Sequence, residues 1–167
     1  MVRWIDGLVG GLVAGLTSMV FFVLVGVVWL HETTCGDFFL QATRLFPSLR
    51  GAPASPQMTV LGSILYLALA ALLGLVYGLL AHSRPSMRRL PTSLYWGTFY
   101  GIAVWLLLHD VLVIWTGVVD IQPLWEGLVG CVLFGLVLSE VSAVAARRVA
   151  LNSQNLESLA LPSMPPG

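Results

Sequence analysis

Between Arg50 and Arg84 the chain carries no charged residue at all. Such a run exceeds the roughly 20 apolar residues that cross about 30 Å of hydrocarbon. Three further segments repeat the pattern. Val2–Leu30 is charged only at Arg3 and Asp6, with Thr17 and Ser18 as polar interruptions. Leu94–Thr116 is charged only at Asp110, and Leu124–Ala146 only at Glu126 and Glu140. Four spans are predicted, near 7–30, 58–81, 94–116 and 124–146, and with them an all-α polytopic membrane protein built as a four-transmembrane-helix bundle. Composition agrees: 10% of residues are charged, against about 25% in a soluble domain. Lys plus Arg, at 8, balance Asp plus Glu, also 8. Net charge therefore gives no reason to expect nucleic acid as a partner, and the lipid bilayer is the expected one.

The first segment is longer than the about 7–15 residues of a signal-peptide core, and no A-x-A-like site follows it. It is expected to remain as a span. Arginines set the orientation. With the N-terminus inside, Arg3, Arg84, Arg88, Arg89, Arg147 and Arg148 are cytoplasmic, while Arg44 and Arg50 lie outside. Both termini are thus predicted inside. Trp4 and Trp96 then fall at the inner interface, and Trp29, Trp115 and Trp125 at the outer one, as aromatic belts do.

Small residues recur every four positions. The first span carries Gly7, Gly11 and Gly15; the second Ala70, Gly74 and Gly78; the third Gly97 and Gly101; the fourth Gly127, Cys131, Gly135, Ser139 and Ala143. Stripes of this kind let helix backbones approach closely in lipid, where packing and weak hydrogen bonds drive association. They predict a compact bundle with other transmembrane helices as partners, in a homo-oligomer or a larger complex. They also predict that the fourth helix is covered along its whole length. Cys131 reads as a small packing residue; Cys35, in the first external loop, is at a different depth and a poor disulfide partner for it.

Within the external segment 31–56, Phe38, Ala42, Leu45 and Leu49 fall on one helical stripe, which predicts a short helix lying on the membrane interface. Residues 1–150 form one transmembrane domain by this reading. The segment 151–167, polar with three prolines near its end, is expected to be a disordered cytoplasmic tail.

Ionisable residues in a span are functional candidates by default. His109 and Asp110 are adjacent in the third span, but neighbours on a helix project about 100° apart, so they make two sites rather than one pair. In the predicted orientation His31, Glu32, His109, Asp110, Asp120 and Glu126 all gather near the outer side. Three chemistries are compatible with that set. The groups can act as a proton relay or pH sensor, since imidazole titrates near neutrality. His31 and His109 can ligate a haem or a metal, or His109 a chlorophyll-type pigment. Or the groups cap helix ends and pair with one another. No H-x-x-x-H or E-x-x-H spacing supports a metal site, and no cofactor is predicted. Glu140, about 10 Å from the inner end of its span, is expected to pair with Arg147 or with Arg3.

Enzyme chemistry finds no support. The run GVVDI (Gly117–Ile121) resembles one aspartate motif of the lipoprotein signal peptidases, but the second motif of their dyad does not follow it. No phosphate loop or Ser/His/Asp arrangement occurs.

From the second span onward the order of features resembles the YagU-like family of bacterial inner-membrane proteins. The resembling elements are LVYG (Leu75–Gly78), a short basic loop with proline, YWGTFYG (Tyr95–Gly101), the histidine of LLLHD, WTG (Trp115–Gly117) and PLWEGLVG (Pro123–Gly130). Ser139 and Glu140, then Arg147 and Arg148, complete the series. The resemblance implies a multi-pass inner-membrane protein associated with acid resistance, with His109 and Glu126 matching the family's third-helix histidine and its acidic residue opening the fourth helix. The chain departs from the pattern in its short first external loop, its longer interval from Glu140 to Arg147, and Asp110.

Three functional expectations follow. The leading one is a non-enzymatic inner-membrane protein linked to proton stress through its outer His/carboxylate cluster. The others are an accessory subunit of a respiratory or photosynthetic complex, with His109 as a haem or pigment ligand, and a homo-oligomeric channel or small transporter using Glu140.

Overall fold

The structure is a computed structural model that describes residues 4–28, 55–84, 87, 92–116 and 124–160. Four helices account for nearly all of them: α1 (Trp4–Val28), α2 (Pro56–Ser83), α3 (Thr92–Thr116) and α4 (Leu124–Ala160). No strand occurs among the described residues. Three helices contain stretches long and apolar enough to cross a membrane: Ile5–Gly26, Pro56–Ser83 and Trp125–Asn152. The expected interfacial helix at 38–49 lies outside the described residues.

Local chemistry explains where the helices begin and end. Ser55 caps α2, its side chain accepting from the Met58 N–H at 3.3 Å, and Pro56 occupies the first turn, where no N–H is needed. At the other end Arg84 is extended, as the residue before a proline tends to be. α2 is therefore two residues longer at each end than hydropathy predicts. α4 departs further from expectation. It continues through Ala160, so 151–160, expected to be disordered, is helical. Hydropathy falls after Ala146, but Arg, Ala, Leu, Gln and Glu favour a helix without lipid, and the next proline is Pro162.

In space the helices run in the order α2–α1–α4–α3. Glycines set the first and last of these contacts. A methyl group at Gly7 would lie 2.8 Å from the Gly74 carbonyl oxygen and 3.1 Å from Gly78 Cα; one at Gly11 would strike Ala70 O and Gly74 Cα. α1 and α2 are thus antiparallel and in backbone contact. The same device joins α3 to α4: a methyl at Gly97 would meet Gly135 O and Ser139 Oγ at 2.5 and 2.6 Å, and one at Gly101 would meet Cys131 O and Val132 Cα. The stripe of small residues on α4 is therefore covered by α3, with Trp105 continuing the contact over Gly127.

The α1–α4 contact uses larger side chains. Gly10 faces Leu138 and Val141, and Phe22 occupies the space that Gly130 leaves open. Along their backbones α2 and α3 scarcely approach each other. Aromatic side chains close that seam. The rings of Tyr77 and Tyr100 meet edge to face at 5.1 Å, and the Tyr100 hydroxyl donates to Leu73 O at 2.6 Å. Near the end where α1 begins, the Arg84 guanidinium lies 5.7 Å over the Trp96 ring, a cation–π contact. Ala14, Ala70, Tyr77, Phe134 and Leu138 fill the centre.

Candidate functional site

Two of the sequence-predicted candidates, Glu126 and His109, lie at the end of the bundle where α4 begins. Glu126 lies in the first turn of α4, where a carboxylate is favoured by the exposed N–H groups and the helix dipole. Its placement is unusual for an acid: it is 2% exposed. Gly130 is one turn further on the same face, and there Ser18 and Phe22 of α1 dock. That register puts Glu126 at the level of the Phe22–Gly26 turn of α1, where Gly26 is also buried.

α3 supplies the other half. A methyl at Gly127 would lie 3.2 Å from Trp105 Nε1, so the indole rests on the residue next to Glu126. His109, one turn along α3, stacks on that indole with centroids 5.5 Å apart and planes at 14°. Glu126, Gly127 and Trp105 thus lie at one level of the bundle, and His109 stacks on Trp105 one turn further along α3. Asp110 is exposed, turned away as the helical angle requires, and the structure does not join it to His109. His31, Glu32 and Asp120 lie outside the described residues.

Glu140 and Arg147 are both exposed, and no ion pair joins them. They lie on the outward face of α4, two turns apart. Arg3, the other expected partner, lies outside the described residues.

One layer deeper is an arrangement that the sequence did not reveal. Ser18 Oγ donates to Gly130 O at 3.1 Å, and the Tyr66 hydroxyl hydrogen-bonds Ser18. Ser18 thus stands between the Tyr66 hydroxyl and the Gly130 carbonyl. This chain of hydroxyls ties α2 to α1 to α4, with the Cys131 thiol beside it. Most other hydroxyls in the bundle bond to their own helix: Thr98 to Leu94 O, Ser139 to Leu136 O and Ser142 to Leu138 O, the usual local solution. Ser18 crosses between helices instead. Its spacing offered one signal: it is seven residues after Gly11, hence on the same packed face.

Among the described residues no group of three His, Cys, Asp or Glu side chains is placed to hold a metal ion. Of the two candidate histidines, His109, half-buried at the bundle end, is the one among the described residues. No protein-family model matches the chain, and no curated protein or solved structure is significantly similar to it.

Proposed function

We propose that this is a non-enzymatic protein of a bacterial inner membrane in which all four helices span, both termini are cytoplasmic, and the Glu126–Trp105–His109 group at the outer end is a proton-sensitive element. The observation that carries this reading is the burial of Glu126. A carboxyl group cut off from bulk water cannot gain or lose a proton without a change of charge inside packed surroundings, which those surroundings must answer. Trp105 couples that event to α3, because it touches the α4 turn carrying Glu126 on one side and His109 on the other. The resemblance to YagU-like proteins supplies acid stress as the setting.

The test uses Trp105 as its own reporter. In a variant whose other tryptophans are Phe, reconstituted in lipid nanodiscs, indole emission should change with pH. Emission should flatten in Glu126→Gln and lose its His-dependent part in His109→Ala. In cells, both variants should insert normally and survive acid challenge less well. A pH-independent emission together with wild-type acid survival of both variants overturns the reading.

One observation favours a second reading, that of an accessory subunit of a larger membrane complex with His109 as a haem or pigment ligand. α4 continues past its apolar stretch Trp125–Asn152 to Ala160, with Gln154 exposed, a projection suited to holding another protein. A native mass spectrum of the gently extracted protein distinguishes the two: co-purifying subunits or a bound tetrapyrrole establish the second.

A further inference from the structure

We propose that the outward face of α4 is a self-association surface, and that its occupant is a second copy of this chain docked in parallel so that Glu140 meets Glu140. This inference does not rest on the proton-sensitive reading.

The outward face of α1 sets the standard. On α1 that face is Ile5, Val9, Val13, Leu16, Val20 and Leu24, each between 42% and 57% exposed. Thr17, also exposed, satisfies its hydroxyl on Val13 O at 2.9 Å. That face is built for hydrocarbon. α4 breaks the rule: on its outward side, in line with Val129 at 39% and Val144 at 47% exposed, stands the exposed carboxyl of Glu140. Among the described residues it makes no ion pair and no hydrogen bond.

Its depth makes that placement costly. Leu138 and Val141, on either side of it, pack at Gly10 of α1, six residues inside the start of that helix, or about 9 Å along its axis. Lipid tails offer no donor to a carboxylate, and ionisable residues within spans almost always face protein or water. The α4 face therefore needs a polar partner at the same depth.

A second copy supplies one by symmetry. Across a twofold axis along the membrane normal the same patch meets itself. Two Glu140 carboxyls then lie opposite each other at one depth, each giving the other a polar neighbour in place of lipid. Arg147 and Arg148, exposed on the same helix about two turns on, complement their negative charge. Side chains lean toward the helix N-terminus, which carries the Arg147 guanidinium toward Glu140. Valines on either side give the pair an apolar surround. An unrelated helix would need its own polar group at this level; a copy brings one by construction.

The experiment is oxidative cross-linking in native membranes with Cys35→Ser and Cys131→Ala as background. Val144→Cys should form a disulfide-linked dimer and Val13→Cys, on the lipid face of α1, should not. In parallel, dimerisation of the uncross-linked protein is measured by energy transfer in bicelles. Glu140→Leu, which suits a lipid face and leaves the monomer intact, should weaken association roughly 5- to 30-fold. Glu140→Gln, whose amide also pairs with itself, should retain most of it. A monomeric wild type, equal cross-linking at Val13 and Val144, unchanged association of Glu140→Leu, or a different protein captured at Val144→Cys each overturns the proposal.

Discussion

Gly10 and Gly11 are neighbours on α1, yet the same substitution should affect them differently. At Gly11 a methyl group meets only backbone: Ala70 O, Gly74 Cα at 2.9 Å and Ala71 Cα at 3.1 Å. Backbone cannot swing aside, so α1 and α2 must part by at least about 0.5 Å to restore ordinary contact. A gap of about 0.5–1 Å forfeits a quarter to a half of each dispersion well of about 0.15 kcal/mol. Over an interface on the scale of the roughly 40–60 atom contacts of one buried leucine, the loss is about 2–4 kcal/mol. Alanine's better helix propensity returns about 1 kcal/mol, leaving Gly11→Ala about 1–3 kcal/mol less stable, the usual range for overpacking. At Gly10 the methyl meets side-chain tips, Leu138 Cδ1 at 3.1 Å and Val141 Cγ1 at 3.4 Å, which yield by a small rotation. Gly10→Ala should therefore remain within about 1 kcal/mol of wild type, its propensity gain offsetting the squeeze. Reversible unfolding in mixed micelles, followed by circular dichroism, measures both. Since propensity is common to the pair, a difference below about 0.5 kcal/mol, or a reversed order, would refute the claim that backbone contact holds α1 on α2.

Two further outcomes follow from the hydroxyl chain and from the cover over Cys131. Ser18→Ala and Tyr66→Phe should each cost about 0.6–2 kcal/mol in the same unfolding assay. The double variant should cost little more than the worse single one, because the two bonds share the Ser18 oxygen; full additivity speaks against the chain. Cys131, packed beneath Gly101, should react slowly with N-ethylmaleimide in intact membranes, and Gly101→Val, which must lift α3 off α4, should speed labelling several-fold. Equal rates would mean that α3 does not cover the thiol.

Much of this architecture is legible in the sequence, because the features that carry it are periodic. Charge-free runs locate the helices, and small residues at every fourth position mark the faces that pack. The pairing is not legible. A glycine stripe fits any other glycine stripe, so nothing in Gly7, Gly11 and Gly15 says that their partner is α2 rather than α4. The extent of α4 is misread for a related reason: hydropathy reports the presence of lipid, whereas the backbone continues wherever helix-favouring residues do. At the candidate site, Glu126 and His109 stand out as ionisable groups in apolar runs, and the fold brings them to the same end of the bundle, on either side of Trp105. Ser18 and Tyr66 pass unnoticed because each is a common residue and the acceptor is a main-chain carbonyl, which every position possesses. Whether Glu140 faces inward or outward depends on which side of α4 the other helices occupy, and that is a property of the assembled bundle.

The spatial order α2–α1–α4–α3 also implies an order in time. Chains are made from the N-terminus, and folding units form as they emerge. α1 and α2 are consecutive in the chain and share a glycine contact, so they can zip together while the rest is still being synthesised. α3 leaves the ribosome before the helix it packs against, and it must wait for α4. When α4 arrives it completes two interfaces at once, to α3 through Gly135 and to α1 through the Gly130 carbonyl that receives Ser18. Assembly thus proceeds as two hairpins and one late closure, and the last helix to be made is the one that holds the halves together.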